Sequence, residues 1–128
     1  MSDNIVSLNV PALPQFARSV RMMAANLAVL TSMNVDEVDD ARMAAEEAFV
    51  YACATRPQIC EMRFEVGPSS LQMSFSLGSV VPEEDEEVAE QVSMAQLLLS
   101  CVCDSFEVSE DRAFLYVTKL GGDVDAAE

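Results

Sequence analysis

The chain has 128 residues, 51% of them hydrophobic, which suits one domain with a sizeable core and is too apolar for a disordered chain. Its 22 acidic and 7 basic side chains give a formal net charge of -15 at pH 7, which disfavours binding to nucleic acid or anionic membranes and accommodates a basic protein partner. The sequence contains no histidine, which excludes a Ser-His-Asp or Cys-His catalytic arrangement.

Neither a membrane span nor a secretory signal is predicted. The most apolar run, Met94–Cys103, has about ten residues, whereas a span needs roughly twenty. The first four residues lack the basic and apolar segments of a signal peptide. We therefore expect a cytoplasmic protein whose four cysteines are thiols. Cys101 and Cys103 are separated by one residue rather than the two of a redox or zinc pair, so no metal site is expected.

The first part of the chain predicts one strand and two helices. Apolar and polar residues alternate from Ile5 to Val10, which is typical of a strand. From about Gln15 to Met33, apolar residues recur at three- and four-residue intervals and predict an amphipathic helix. Its apolar stripe consists of Phe16, Val20, Met23, Leu27 and Leu30. Asn34 and Glu37 predict a capping box at the start of a second helix, Val35 to about Ala54.

Two strands follow, Cys60–Val66 and Leu71–Leu77, joined by the turn Gly67-Pro68-Ser69-Ser70. In both strands every second residue is apolar and the residues between them are polar. One apolar face and one polar face are typical of an antiparallel sheet that helices cover on one side.

The next segment, Gly78–Glu87, contains five consecutive acidic residues from position 83 to position 87. We interpret it as a mobile, solvated loop; a docking element for a basic partner is the alternative. A third helix is predicted over Val88–Cys103, and a hairpin of Phe106–Val108 and Ala113–Leu120 follows it.

The element order is therefore βααββαββ, which predicts an α+β fold. We expect a two-layer α/β sandwich in which a mixed, mainly antiparallel sheet carries three helices on one face. Residues 1–120 are expected to form a single domain, and residues 121–128 a polar, frayed tail.

Several strings, in this order and spacing, resemble the anti-sigma-factor serine protein kinases of the GHKL ATPase superfamily. The resemblance covers nearly the whole chain. It rests on Pro11–Phe16 for the family's opening segment, Val35–Ala48 for its second helix, and Cys103–Val108 with Val117–Leu120 for its closing helix and hairpin. The resemblance implies a histidine kinase-like ATPase domain, also called the Bergerat fold.

The resemblance also implies a nucleotide site on the second helix, where the family has a catalytic Glu and, four residues later, an Asn that binds Mg²⁺. The Glu corresponds to Glu47, which is either the family's general base or an ordinary helix acid. The Asn corresponds to Tyr51, whose phenol cannot replace an amide oxygen as a ligand for Mg²⁺. The histidine that often follows corresponds to Thr55.

Two further nucleotide motifs of the family are degenerate here. The family's adenine-binding Asp, in Asp-x-Gly-x-Gly, corresponds to Ser76 or Leu77, and only Gly78 of the two glycines remains. The phosphate-binding Gly-Leu-Gly corresponds to Ser93-Met94-Ala95, which lacks the conformational freedom of glycine. The nucleotide-binding positions implied by the resemblance are thus Tyr51, Ser76, Gly78, Ser93 and Ala95.

The leading hypothesis is a regulatory, anti-sigma-factor-like protein of a bacterial partner-switching system, a non-catalytic pseudokinase without a cofactor. It would bind a sigma factor or a STAS-type anti-anti-sigma protein, and neither nucleic acid nor membrane.

Two alternatives stay open: an active serine protein kinase that uses Mg-ATP on a STAS-type partner, and a structural subunit that pairs with a competent paralogue. The resemblance also allows a homodimer. Methionines that the predicted core does not need suggest a hydrophobic interface; they are Met22, Met33, Met43 and Met94.

Overall fold

Residues 4–122 are described by the structure, a computed structural model. In chain order the elements are β1 (Ile5–Pro11), α1 (Ala17–Ala28), α2 (Val35–Ala54), β2 (Ile59–Val66), β3 (Ser70–Ser76), α3 (Glu86–Val102), β4 (Ser105–Val108) and β5 (Phe114–Leu120). Single turns of 3₁₀ helix, Pro14–Phe16 and Pro82–Glu84, precede α1 and α3. The predicted order βααββαββ and the α+β class are confirmed.

The five strands form one sheet in the order β1-β2-β3-β5-β4, and every neighbouring pair is antiparallel. The expectation of a mixed sheet is therefore wrong for the described residues. The crossover through α3 does bring β4 parallel to β3. However, β5 lies between these two strands and pairs antiparallel with both.

The helices cover one face of the sheet. The side chains of β2 and β3 on that face are buried and apolar; they are Cys60, Met62, Phe64, Leu71, Met73 and Phe75. The residues between them are polar and mostly exposed, so the opposite face of the sheet is open. Helix α2 packs against α1, α3 and the sheet. The arrangement is consistent with the expected two-layer sandwich.

Helix α2 begins and packs as its sequence predicts. The Asn34 side chain accepts a hydrogen bond from the Glu37 N–H at 2.8 Å, and the Glu37 carboxylate accepts one from the Asn34 N–H at 2.9 Å, which confirms the capping box. Five alanines of α2 are fully buried: Ala41, Ala44, Ala45, Ala48 and Ala52. Their small side chains let α2 approach its neighbours closely, and the larger Phe49, Phe64 and Phe75 fill the remaining volume of the core.

Helix α1 is shorter than expected, because it ends at Ala28 instead of continuing to Met33. The Thr31 hydroxyl donates a hydrogen bond to the Ala28 carbonyl at 2.7 Å and accepts one from the Met33 N–H at 3.0 Å. Such local side-chain bonds compete with the continuation of a helix. Leu30, which the predicted stripe placed on the inner side of α1, is 70% exposed.

The sequence suggested that the acidic run lies entirely in a loop. In the structure, part of the run belongs to a helix. Helix α3 begins at Glu86, two residues earlier than expected, and Asp85 is its N-cap. One Asp85 carboxylate oxygen accepts hydrogen bonds from the N–H groups of Glu87 at 3.0 Å and Val88 at 3.2 Å. Negative side chains are favourable at this end of a helix, where the unpaired N–H groups carry partial positive charge. The start of α3 thus accounts for three of the five acids.

The described chain ends at Gly122, and residues 123–128 of the expected tail lie outside it. The Gly121 N–H donates to the Ser69 carbonyl at 2.7 Å, and the Gly122 N–H donates to the Glu37 carboxylate at 2.6 Å. The first two tail residues are therefore tied to the domain rather than frayed. Over residues 4–122, none of the helices has both the length and the apolar character that crossing a membrane requires.

Candidate functional site

A cavity of about 340 Å³ lies between the C-terminal half of α2, the segment 77–83 that follows β3, α3, and the β4–β5 hairpin. Its apolar lining consists of Leu77, Gly78, Val80, Val81, Pro82, Ala89, Val92 and Val108. Its polar lining consists of Tyr51, Thr55, Glu83, Ser93, Gln96 and Arg112. The volume falls at the lower end of the range found for small-molecule pockets.

Tyr51 forms part of the α2 wall of this cavity and is 5% exposed. Burial raises the pKa of its phenol, an effect that the positive charge of Arg112 and a hydrogen bond with Gln96 partly oppose. The phenol therefore stays protonated at neutral pH. In that form it donates and accepts hydrogen bonds but is no ligand for a hard cation such as Mg²⁺.

Thr55, one helical turn after Tyr51, fixes the segment that follows β3. Its hydroxyl donates to the Ala52 carbonyl at 2.7 Å and accepts a hydrogen bond from the Gly78 N–H at 2.8 Å. The Thr55 carbonyl accepts a further bond from the Val80 N–H at 3.2 Å. These bonds hold one wall of the cavity against the end of α2.

Gly78 is required by close packing of the backbone. A Cβ atom at this position would collide with the main chain of Thr55, Arg56 and Pro57. No described glycine has a positive φ, so the absence of a side chain, and not an unusual backbone conformation, is what the site needs. The packing alone explains this glycine, without any ligand.

An ion pair between Glu83 and Arg112 borders the cavity. Arg112 Nη1 lies 2.9 Å from Glu83 Oε1, and Nη2 lies 3.2 Å from Oε2. These hydrogen bonds lower the pKa of Glu83 and raise that of Arg112. Both side chains are exposed, so water and salt weaken their attraction. The pair nevertheless connects the segment before α3 to the β4–β5 hairpin and leaves the cavity without net charge.

Three of the six residues expected at the nucleotide site line the cavity: Tyr51, Gly78 and Ser93. Glu47, one turn before Tyr51 on α2, lies outside the lining. Partial burial, with a smaller contribution from the negative charge of Glu46, raises the pKa of the Glu47 carboxyl.

Ser76 and Ala95 lie away from the cavity. The Ser76 hydroxyl accepts a hydrogen bond from the Glu61 N–H at 2.8 Å on the open side of the sheet, because successive strand residues point to opposite faces. Leu77, the other residue that the resemblance aligned with the adenine-binding Asp, does line the cavity. Ala95 is 1% exposed in the core, since residues two apart on a helix do not share a face.

Sequence reasoning missed Gln96 and Arg112. Gln96 follows Ser93 by three residues, so helical spacing from Ser93 was a usable signal. Arg112 offered no such local signal, because its partner Glu83 is 29 residues away in sequence.

The described residues contain no group of three or more His, Cys, Asp or Glu side chains that could hold a metal ion. All four cysteines are free thiols. Burial raises the pKa of Cys53 to about 11 and that of Cys60 to about 12, which keeps both thiols neutral.

The outer side of α3 carries a second feature, which we call the α3 surface: Glu86, Glu90, Met94 and Leu97. Met94 is 57% exposed and Leu97 is 60% exposed, so apolar side chains lie on the surface beside acidic ones. Of the four methionines expected at an interface, Met22, Met43 and Met94 are exposed. Met33 is buried and belongs to the core.

In comparisons with known proteins, no protein-family model matches the chain. No curated protein matches it either.

Proposed function

We propose that the protein is a non-catalytic regulator that binds another protein, in the manner of anti-sigma factors in bacterial partner switching. In this proposal the chain is a histidine kinase-like ATPase domain whose nucleotide site is degenerate, and it acts in the cytoplasm. One observation carries the proposal. In the cavity that contains Tyr51, Gly78 and Ser93, a buried phenol stands where the family has its Mg²⁺-binding Asn, and the one cation of the lining is already paired with Glu83, whereas a triphosphate needs free cations.

Electrostatics support the absence of ATP from this cavity. Among the described lining residues the one cation is Arg112, and Glu83 already pairs with it. A tetra-anionic triphosphate would have to displace Glu83 and would then face the acids at positions 84–87. Glu47 would have no bound phosphoryl group to act on, and its raised pKa follows from burial and, to a smaller extent, from the negative charge of Glu46.

The α3 surface supports a protein partner. Exposed Met94 and Leu97 provide an apolar centre, and Glu86 and Glu90 provide negative charge beside it. A partner with basic and apolar side chains on one face complements this surface in both respects. A sigma factor or a STAS-type protein is the partner that the family resemblance implies.

Calorimetric titration with ATP and ADP, with and without Mg²⁺, tests the loss of the nucleotide site. We expect no heat of binding at nucleotide concentrations of about 1 mM, which corresponds to a binding free energy weaker than about -4 kcal/mol. Micromolar, Mg²⁺-dependent binding would contradict the proposal. It would favour the serine kinase, with Glu47 as its general base, and phosphate transfer from radiolabelled ATP to a STAS-type protein would then establish that activity.

Biolayer interferometry against the sigma factors and STAS-type proteins of the same genome tests partner binding. We expect one of them to bind, and Met94→Glu or Leu97→Glu to weaken it at least about tenfold by placing charge in the apolar centre. Ser74→Glu on the open face of the sheet adds the same charge away from α3 and serves as the matched control. Glu47→Ala should also leave binding unchanged. No binding to any of these proteins, or equal loss in the Ser74→Glu control, would overturn the proposal.

A further inference from the structure

We infer that the cavity between α2 and α3 binds a small uncharged molecule, about two fused rings in size, with a hydrogen-bonding group at one edge. The inference concerns a ligand other than a nucleotide and does not depend on the identity of any protein partner. Four features of the cavity carry it: its volume, its apolar lining, its polar groups with remaining hydrogen-bonding capacity and its lack of net charge.

The volume sets the size of the ligand. An engineered apolar cavity of about 150 Å³ holds one benzene molecule. The present cavity, at about 340 Å³, has roughly twice that room, which fits two fused rings. Its walls come from helices α2 and α3, from the hairpin and from the segment 77–83, which hydrogen bonds to Thr55 hold against the end of α2.

The apolar lining supplies the driving force. Leu77, Val80, Val81 and Val108 line the cavity and are only partly buried. An apolar ligand would remove this remaining surface from water, as well as its own, which is favourable. A fully polar ligand would gain nothing from these walls.

Three polar groups can orient the ligand. The Tyr51 phenol and the Gln96 side chain interact with each other at the wall formed by α2 and α3. The Ser93 hydroxyl has no hydrogen-bond partner among residues 4–122. Thr55, by contrast, is already engaged as both donor and acceptor. The usable donors and acceptors thus lie on the helical side, and a ligand would present its polar edge there.

Charge disfavours ionic ligands. The lining contains one anion, Glu83, and one cation, Arg112, and each neutralises the other. An anionic ligand would compete with Glu83 for Arg112 close to the acidic run, and a cationic ligand would compete with Arg112 for Glu83. A neutral molecule enters without breaking this pair.

Saturation-transfer NMR and calorimetry on the full chain test the inference with three probes of one shape: 2-naphthol, 2-naphthoate and 2-naphthylmethylammonium. At pH 7 the first is neutral, the second anionic and the third cationic. We expect 2-naphthol to bind with a Kd of about 1 mM or tighter, and both ions to bind at least about tenfold more weakly. No binding of 2-naphthol, or equal binding of an ion, would overturn the inference.

Two adjacent residues of α3 provide a matched pair of variants. Ser93→Trp places a large side chain in the cavity, whereas Met94→Trp places the same side chain at an exposed position that does not line it. We expect Ser93→Trp to weaken 2-naphthol binding at least about tenfold and Met94→Trp to change it less than about twofold. Equal weakening by both variants, or by neither, would contradict a site in this cavity.

Tyr51→Phe provides a second test that does not fill the cavity and does not depend on Ser93→Trp folding. Removal of the phenol hydroxyl should weaken 2-naphthol binding about three- to tenfold, the cost of one hydrogen bond. Unchanged affinity would contradict the inferred hydrogen bond between the polar edge of the ligand and the helical wall. Far-UV circular dichroism of each variant confirms that it is folded.

Discussion

Thr55 is a buried threonine whose hydroxyl makes two hydrogen bonds, one to the Ala52 carbonyl and one from the Gly78 N–H. Valine has the same shape but no hydroxyl, so Thr55→Val leaves the Gly78 N–H without its acceptor. Gly78 is partly buried, so its unpaired amide should cost about 1 kcal/mol, the lower end of the range for buried groups, and we expect the free energy of unfolding to fall by that amount. Urea denaturation followed by circular dichroism measures the change.

Thr118→Val in β5 is the control for this substitution. No hydrogen bond of the Thr118 side chain is found within residues 4–122, and valine is well suited to a strand. Its effect should stay within about 0.5 kcal/mol. Equal destabilisation by both variants would mean that the hydroxyl of Thr55 does not hold the segment after β3.

Cys60 makes the stability of the folded protein depend on pH in the alkaline range. Its thiol is fully buried, and burial raises its pKa from an ordinary 9.0 to about 12. In the unfolded chain the thiol ionises near its ordinary pKa, whereas in the folded chain it stays neutral. The contribution of the neutral Cys60 thiol to the free energy of unfolding is therefore complete below pH 9 and is lost as the pH rises toward 12.

We expect the free energy of unfolding to fall more steeply above about pH 9 in the natural chain than in Cys60→Ala, which has no thiol to ionise at this site. Urea denaturation at a series of pH values measures both slopes. Cys101→Ala removes an exposed thiol and should keep the slope of the natural chain. Parallel slopes for the natural chain and Cys60→Ala would show that this thiol is not protected in the folded state.

At the scale of residues, the family resemblance was informative in part. It expected six residues at one site, and three of them, Tyr51, Gly78 and Ser93, line the cavity. It did not find the pairing of Arg112 with Glu83, because that contact depends on how the hairpin lies against the segment before α3. A single sequence does not specify such a distance.

Helix α3 depends on its N-cap. The Asp85 carboxylate accepts hydrogen bonds from the N–H groups of Glu87 and Val88, which have no partner within the helix. Asp85→Ala removes this acceptor and also the attraction to Arg56, whose guanidinium lies 3.9 Å away. We expect a loss of about 0.5–2 kcal/mol in the free energy of unfolding, measured in urea.

The neighbouring acid supplies the control. Glu84→Ala removes one negative charge from the same run but no cap, and it should change the free energy of unfolding by less than about 0.5 kcal/mol. Hydrogen exchange adds a local measurement, since only Asp85→Ala should speed exchange in the first turn of α3. Similar exchange in both variants would show that the acidic run stabilises α3 by charge alone.

The elements differ in how far their sequence determines them. The start of α2 was predicted because Asn34 and Glu37 form their capping box within four residues of chain. The end of α1 was not, because a turn follows it in which Thr31 bonds locally and the Ser32 N–H donates to the carbonyl of Pro68, far along the chain. The alternation of apolar and polar residues predicted β1, β2 and β3, but the position of β5 between β3 and β4 depends on tertiary packing, which alternation does not specify.

The whole molecule carries a large excess of negative charge. The sequence has 22 acidic and 7 basic side chains, so most carboxylates have no cation to pair with. Mutual repulsion of these charges destabilises a compact state. Dissolved salt weakens this repulsion, because the distance over which charges interact shortens as the salt concentration rises. We expect the Tm to rise by about 3–5 °C from low salt to about 0.5 M NaCl, which corresponds to about 1 kcal/mol for a domain of this size. Scanning calorimetry measures it.

A variant with less charge separates repulsion from the specific ion pairs. Glu107→Gln with Glu110→Gln removes two exposed carboxylates from the hairpin, where Asp104 and Asp111 are also negative. This variant should have a higher Tm than the natural chain at low salt and a smaller rise with added NaCl. A Tm that falls with salt in both proteins would mean that attractive pairs such as Glu83–Arg112 and Arg21–Glu46 outweigh the repulsion. In that case the net charge would not limit the stability of the fold.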